Sequence, residues 1–210
     1  MPFESFNDMQ ELYEYSRQSN MKSIYLLGCI GMMGQVPGFS SLRIYLASKL
    51  GVDTAINMEE YTDKFFRHCY QGGAETMRKL YDEWRMLDAY NSVTYSNYTG
   101  KISHYKDTKR SDYFPRTILQ RWRGYIEDSI KAIEPLKTKN PAQYEISYKM
   151  IVAERLSWEH IEYAIYRAYM TNAEQEFFKN AIKEDILYLG ISHVDDYRKT
   201  TETYLAELER

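Results

Sequence analysis

The chain has 210 residues, with 27 Lys and Arg against 30 Asp and Glu, a net charge of −3, and 44% hydrophobic residues. That balance suits a folded chain with a sizeable core and excludes a disordered charged tail. It leaves no basic footprint for nucleic acid, and no apolar run approaches the roughly 18 residues of a membrane span.

The first predicted element is a helix to about Gln18. Asn7-x-x-Gln10 reads as a capping box, and Met9, Leu12, Tyr13 and Ser16 share the inward face. This start is acidic and amphipathic, unlike a basic-then-apolar leader, so the expectation is a cytoplasmic chain or a piece of a longer one. Ser19-Asn20 ends the helix. In "KSIYLLG", Ile24, Tyr25, Leu26 and Leu27 are apolar on both faces, as in a strand of a parallel sheet covered on two sides. Gly28 releases it into the loop "GCIGMMGQVPG". The carboxyl end of such a strand is where α/β folds bind ligands. Met32, Met33, Gln35 and Phe39 are therefore the candidate pocket, with Gln35 as its polar contact. Met33, Gln35 and Phe39 are the predicted substrate-binding residues.

Ser40 or Ser41 is expected to cap the next helix, whose face is Leu42, Tyr45, Leu46 and Leu50, with Gly51 as the stop. Asn57-x-x-Glu60 opens another, with Met58, Tyr61, Phe65 and Cys69 inward. Gln71-Gly72-Gly73 breaks the chain before a helix from Ala74 to about Tyr90, carrying Met77, Leu80, Tyr81, Trp84 and Leu87. Asn91 to Tyr113 reads as a long polar loop, the kind that is functional or mobile. Its basic end, Lys101 to Arg110, reads as solvated. Pro115 sits in the first turn of the next helix. That helix has the stripe Ile118, Leu119, Trp122, Tyr125, Ile126, Ile130 and Ile133.

"KTKNPAQ" reads as a connector to the longest helix, about Ala142 to Met170. Tyr144, Tyr148, Ile151, Leu156, Trp158, Ile161, Ile165 and Tyr169 form its stripe. Asn172-x-x-Gln175 is expected to cap a helix bearing Phe177, Phe178, Ile182, Ile186 and Leu189, stopped by Gly190. Ser192-x-x-Asp195 is expected to open the last helix, with Tyr197, Tyr204, Leu205 and Leu208. Short connections make neighbouring helices antiparallel. The expected fold is mainly α, a bundle preceded by one helix–strand–helix unit.

Chemistry is sparse in this pattern. The close carboxylate pairs Glu59/Glu60, Asp82/Glu83, Glu174/Glu176, Glu184/Asp185 and Asp195/Asp196 diverge on their helices and read as solvated surface, whereas a glycosidase needs two carboxyls converging across a cleft. Arg155 and Glu159 read as a helical ion pair. "EHIEY" lacks the spacing of a zinc helix, and the histidines at 68, 104, 160 and 193 lie on separate elements, so no metal is expected. Cys29 and Cys69 read as buried thiols. No catalytic serine elbow or phosphate-binding glycine loop occurs, and no cofactor is expected. The 21 tyrosines are spread over all helices, which favours packing over a single carbohydrate platform.

The ordered set "GFSSLRIYLASKL" then "EEYTDKFFRHCYQGGAETMRKLYDEW" resembles the C-terminal part of a bacterial family of domains of unknown function. Its members are large, usually secreted and associated with carbohydrate breakdown. Their barrels are similar to those of α-glucuronidases and β-hexosaminidases. The matching residues are Phe39, Leu42, Arg43, Tyr45, Leu46, Lys49 and Leu50, then Phe65, Tyr70, Ala74 and Arg78. "RWRGYIEDSIKAIE" and "YEISYKMIVAERLSWEHIEYAIY" resemble that family's paired C-terminal helices. The resemblance implies that residues 1–52 are the last βα unit of a (β/α)8 barrel and residues 53–210 a helical bundle domain. The expected function is then the helical part of a glycoside-hydrolase-like protein of polysaccharide degradation. Its catalytic carboxylates would lie on other strand ends, so none is assigned here.

The expected partners are a carbohydrate ligand and either the remainder of a barrel or a second copy paired through the strand edge. Neither nucleic acid nor membrane is among them. Two other readings stay open. One is a free-standing helical protein binding a partner or carbohydrate in an aromatic groove; the other is an intact hydrolase using this chain's own carboxylates.

Overall fold

Most of the expected helices form, and tertiary contacts rather than local caps decide several of their ends. A computed structural model describes residues 6, 8–21, 38–96, 98, 110–193 and 199–209. The expected strand at 22–28 and its loop to Pro37, with Met33 and Gln35, lie outside the described residues, as does Cys29. Among the described residues there is no strand, only an isolated antiparallel bridge between His193 and Thr200. The protein is mainly helical. In order come α1 (Met9–Gln18), α2 (Ser40–Leu50), α3 (Met58–Tyr70), α4 (Ala74–Thr94) and α5 (Arg116–Ile133). They are followed by the single turn α6 (Leu136–Lys139), then α7 (Pro141–Tyr166), α8 (Asn172–Leu189) and α9 (Thr201–Leu208).

α7 is the central element, packed against α3, α5 and α8, while α4 lies against α3 and α5. One side of α7 gives Ile151, Trp158 and Ile161 to a core that runs from Phe39, Leu42 and Leu46 through Phe66, Tyr81 and Trp84 to Trp122. Another side gives Val152, Ala153, Leu156 and Tyr163 to a second cluster with Phe178, Ile182, Ile186 and Leu189 of α8. The three tryptophans meet edge to face, Trp158 standing 4.6 Å from Trp122 and 6.0 Å from Trp84 between ring centroids. Such geometry adds to the burial of the rings.

The break at Gln71–Gly73 becomes a 3-10 turn whose backbone presses on α5. A Cβ on Gly72 would lie 2.6 Å from the Ala132 carbonyl oxygen. Backbone cannot step aside as a flexible side chain can. Gly72→Ala is therefore expected to cost about 1–3 kcal/mol through overpacking, read as a lower urea midpoint with an unchanged slope.

Several expectations are corrected. Leu12 is 51% exposed because α1 packs only through Met9, Tyr13 and Ser16. α1 opens at Asp8 without a side-chain cap, and Gln10 instead donates to the Thr54 and Ile56 carbonyls at 2.9 Å. α4 continues to Thr94, into the expected loop, with Asn91 buried and donating to the Tyr113 carbonyl. Pro115 is the residue before α5, and the expected connector holds α6. α7 stops at Tyr166 and a 3-10 turn follows, which leaves Tyr169 82% exposed. α8 is capped one residue early, by a reciprocal box between Thr171 and Glu174. Phe177 points outward because the inward row of α8 is taken by Phe178, Ile182 and Ile186. α9 is capped by Thr200, not Ser192. Asn57 accepts from the Glu60 N–H, and Gly190 ends α8 at φ 68°, both as expected.

Candidate functional site

The strongest concentration of polar chemistry lies on α7, where Glu154, Glu159 and Glu162 are buried among apolar residues of its C-terminal half. Glu154 faces the turn before α2. Gly38 and Phe39 adopt left-handed backbone, φ 77° and 55°, and their N–H groups each donate to one Glu154 oxygen at 2.9 Å. This carboxylate comes from a helix more than a hundred residues away in sequence and holds the turn before α2, whose N-cap is Phe39 rather than the expected Ser40 or Ser41. Negative charge is favoured at a helix N-terminus. Burial nevertheless pushes the Glu154 carboxyl up to about 8, against the pull of the two N–H groups and Arg43. The Phe39 ring has no exposed face; it stacks on Trp84 at 5.8 Å and meets Tyr81 edge-on at 5.1 Å. Of the three residues expected to bind substrate, it is the only one within the described residues, and it serves as a wedge between α2 and α4.

Glu159 and Glu162 face the other way, toward α5 and α8. Glu162 accepts from Arg116 at 3.2 Å and from Arg123, and Arg116 also reaches Glu174 of α8 at 2.6 Å. Arg155 forks onto Asp185 of α8, with its Nε at 2.9 Å. This corrects two expectations. Arg155 pairs across helices rather than with Glu159, and Asp185 is buried at 1% exposure rather than on a solvated face. The physical reason is that a planar guanidinium binds a carboxylate with two parallel bonds, which an in-line helical pair does not match. Glu159 Oε2 is buried with no hydrogen-bond partner. Burial, and then the nearby Asp185 charge, push its carboxyl up to about 7.

Two carboxyls with raised affinity for protons suggest acid catalysis, but their geometry opposes it. Five positions apart on a helix, Glu154 and Glu159 project about 140° from each other. Both are sealed from solvent, whereas a general acid must reach the proton-accepting atom of a substrate. Their raised values come from the packing of the bundle. Apolar periodicity gave no hint of them, since a helix buried nearly all round has no polar face to read. The clue available in sequence was acidic residues recurring at 154, 159 and 162 inside the Ile151–Ile165 apolar stripe.

A cleft of about 1270 Å³ lies along α1 and the α2–α3 connection, between Tyr13, Glu14, Arg17 and Met21 on one side and Val52 and Thr54 on the other. Glu14 is held there by Arg17 and by the Thr54 hydroxyl. Cys69 is half-buried, and burial pushes its thiol up to about 11, which leaves it protonated and inert. Among the described residues no group of His, Cys, Asp and Glu is disposed to hold a metal, and no helix is long and apolar enough to cross a membrane. Set against family models, curated proteins and solved structures, this chain gives no match.

Proposed function

We propose that this chain is the helical part of a glycoside-hydrolase-like, carbohydrate-processing protein, its bundle bracing a barrel end formed by residues 1–52. The observation that carries the reading is the clamp of Glu154 on the Gly38–Phe39 turn. In the α/β folds that this region resembles, a strand's carboxyl-end loop passes into the following helix at such a turn, and ligands bind beside it. A bundle that grips this turn through a buried carboxylate holds the loop's end in register. The positions of the resemblance fit this bracing role. Phe39, Leu42, Leu46, Leu50, Phe65 and Tyr70 are all buried in the shared core, and Arg78 of α4 ties α3 to α4 through Glu59 and Asp63.

The test is hydrogen exchange on the purified chain, read over residues 22–39, together with an aryl-glycoside assay. Free exchange over 22–37 beside protected α2–α7, with no turnover, is the expected result. Strong protection of 22–37 in a monomer would overturn the bracing of a larger barrel in favour of a free-standing protein. Turnover that disappears on replacing one carboxylate would instead make this chain a complete hydrolase.

A further inference from the structure

We infer that Glu159 makes the docking of α8 onto α5 and α7 proton-dependent: α8 is held tightly while Glu159 carries a proton and loosens when Glu159 ionises. The inference rests on the charge arrangement at the junction of these three helices. Three guanidiniums meet there, Arg116 and Arg123 of α5 and Arg155 of α7. Three carboxylates take them up: Glu162 of α7, and Glu174 and Asp185 of α8. Glu159 is the fourth carboxylate in a layer whose three guanidiniums each already hold another carboxylate, with the Arg123 Nε alone left buried and without a partner among them. Its side chain is 5% exposed and its Oε2 has no partner.

An unpaired ion in a buried layer is costly, and the group takes up a proton instead. The charges that bear on Glu159 come from every helix at the junction. Asp185 of α8 and Glu162 of α7 repel the ionised form; Arg155 of α7 and Arg123 of α5 favour it. Glu184 of α8 adds to the negative field at Asp185. The next residue, His160, faces α9 instead, with its Nδ1 2.8 Å from the Tyr204 hydroxyl.

The element that yields is α8. Its apolar residues Phe178, Ile182, Ile186 and Leu189 belong to the second cluster only, so α8 can withdraw while the first core stays closed. Withdrawal carries Asp185 away from Glu159 and admits water. Because burial raises the Glu159 carboxyl to about 7 from its ordinary 4.5, tight docking is complete below about pH 4.5 and is lost as pH rises through 7.

Hydrogen exchange on the full chain between pH 5.5 and 8, with labelling times scaled to the intrinsic rate, tests this. Relative to α5, the α8 amides should lose about tenfold in protection over that interval. Glu159→Gln should remove that loss, and Glu154→Gln, which spares Glu159, should retain it. If α8 and α5 change in parallel in the natural chain, or if Glu159→Gln keeps the tenfold loss, the inference fails. Should Glu159→Gln not fold, Asp185→Asn decides, because it removes the neighbouring charge that repels ionised Glu159. The loss should then shrink well below tenfold, and its persistence in full overturns the inference.

Discussion

Trp122→Ala should lower the unfolding free energy by about 3–5 kcal/mol, the range for removing a large aromatic side chain from a packed core. Trp122 is fully buried on α5, edge-on to Trp158 and inside the core that also holds Trp84. Its Nε1 donates to Glu83 of α4 at 2.9 Å, so the residue joins three helices at once. Truncation opens a void that neither Trp84 nor Trp158 can fill without leaving its own partners. Glu83 keeps the Tyr125 hydroxyl and the Arg121 guanidinium, so most of the loss comes from the void rather than from the missing hydrogen bond. Trp122→Phe, which refills much of the space, should cost less than half as much. Urea unfolding of both variants at one pH checks the order.

Stability of the natural chain should fall between pH 5 and pH 8.5, and Glu154→Gln should remove a large part of that fall. The Glu154 carboxyl is raised to about 8 in the folded protein from an ordinary 4.5. A group whose folded value is raised stabilises the fold fully below its unfolded value, and that stability drains away as pH rises toward the folded value. Over this window the loss is on the order of 4 kcal/mol, since each tenfold gain in proton affinity on folding is worth about 1.4 kcal/mol. Glutamine removes the titration, but it can accept from only one of the two N–H groups that Glu154 holds, its NH2 facing the other. The variant should therefore start below the natural chain near pH 5 and lose much less stability than it does by pH 8.5. Glu174 pulls the other way, held to about 2 by the Thr171 N–H and by Arg116, but its carboxyl is solvated and acts below this window. Denaturant unfolding at half-unit pH steps gives the two curves; parallel curves would show that Glu154 does not titrate here.

Helices were legible wherever spacing and caps agreed. The stripe from Ile118 to Ile133 became α5 with Leu119, Trp122, Ile126 and Ile133 buried, and Asn57 and Gly190 act as read. The errors at helix ends have different causes. Before α2 a residue distant in sequence, Glu154, holds the Gly38 and Phe39 N–H groups, which no local signal announced. At α8 the signal was local but misjudged by one residue, since Thr171 and Glu174 fit the capping box better than Asn172 and Gln175. The polar layer was hidden for a different reason. Glu159, Arg155 and Asp185 look like surface charges one helix at a time, and only the packing of α5, α7 and α8 turns them into a buried network. Of the expected ligand residues, Phe39 alone can be placed, and its apolar character led to the core.

α7 is a 26-residue rod, about 39 Å long at 1.5 Å per residue, walled by a different core on each side. That gives assembly a direction. The first core can be completed by the segments from Phe6 to Ile161, whereas the second needs both α7 and the later α8. A chain emerging N-terminus first meets those segments in that order. Between the two events Val152, Leu156 and Tyr163 form an uncovered apolar stripe on a helix already fixed in place. During that interval the stripe is open to neighbouring chains, and the arrival of α8 covers it.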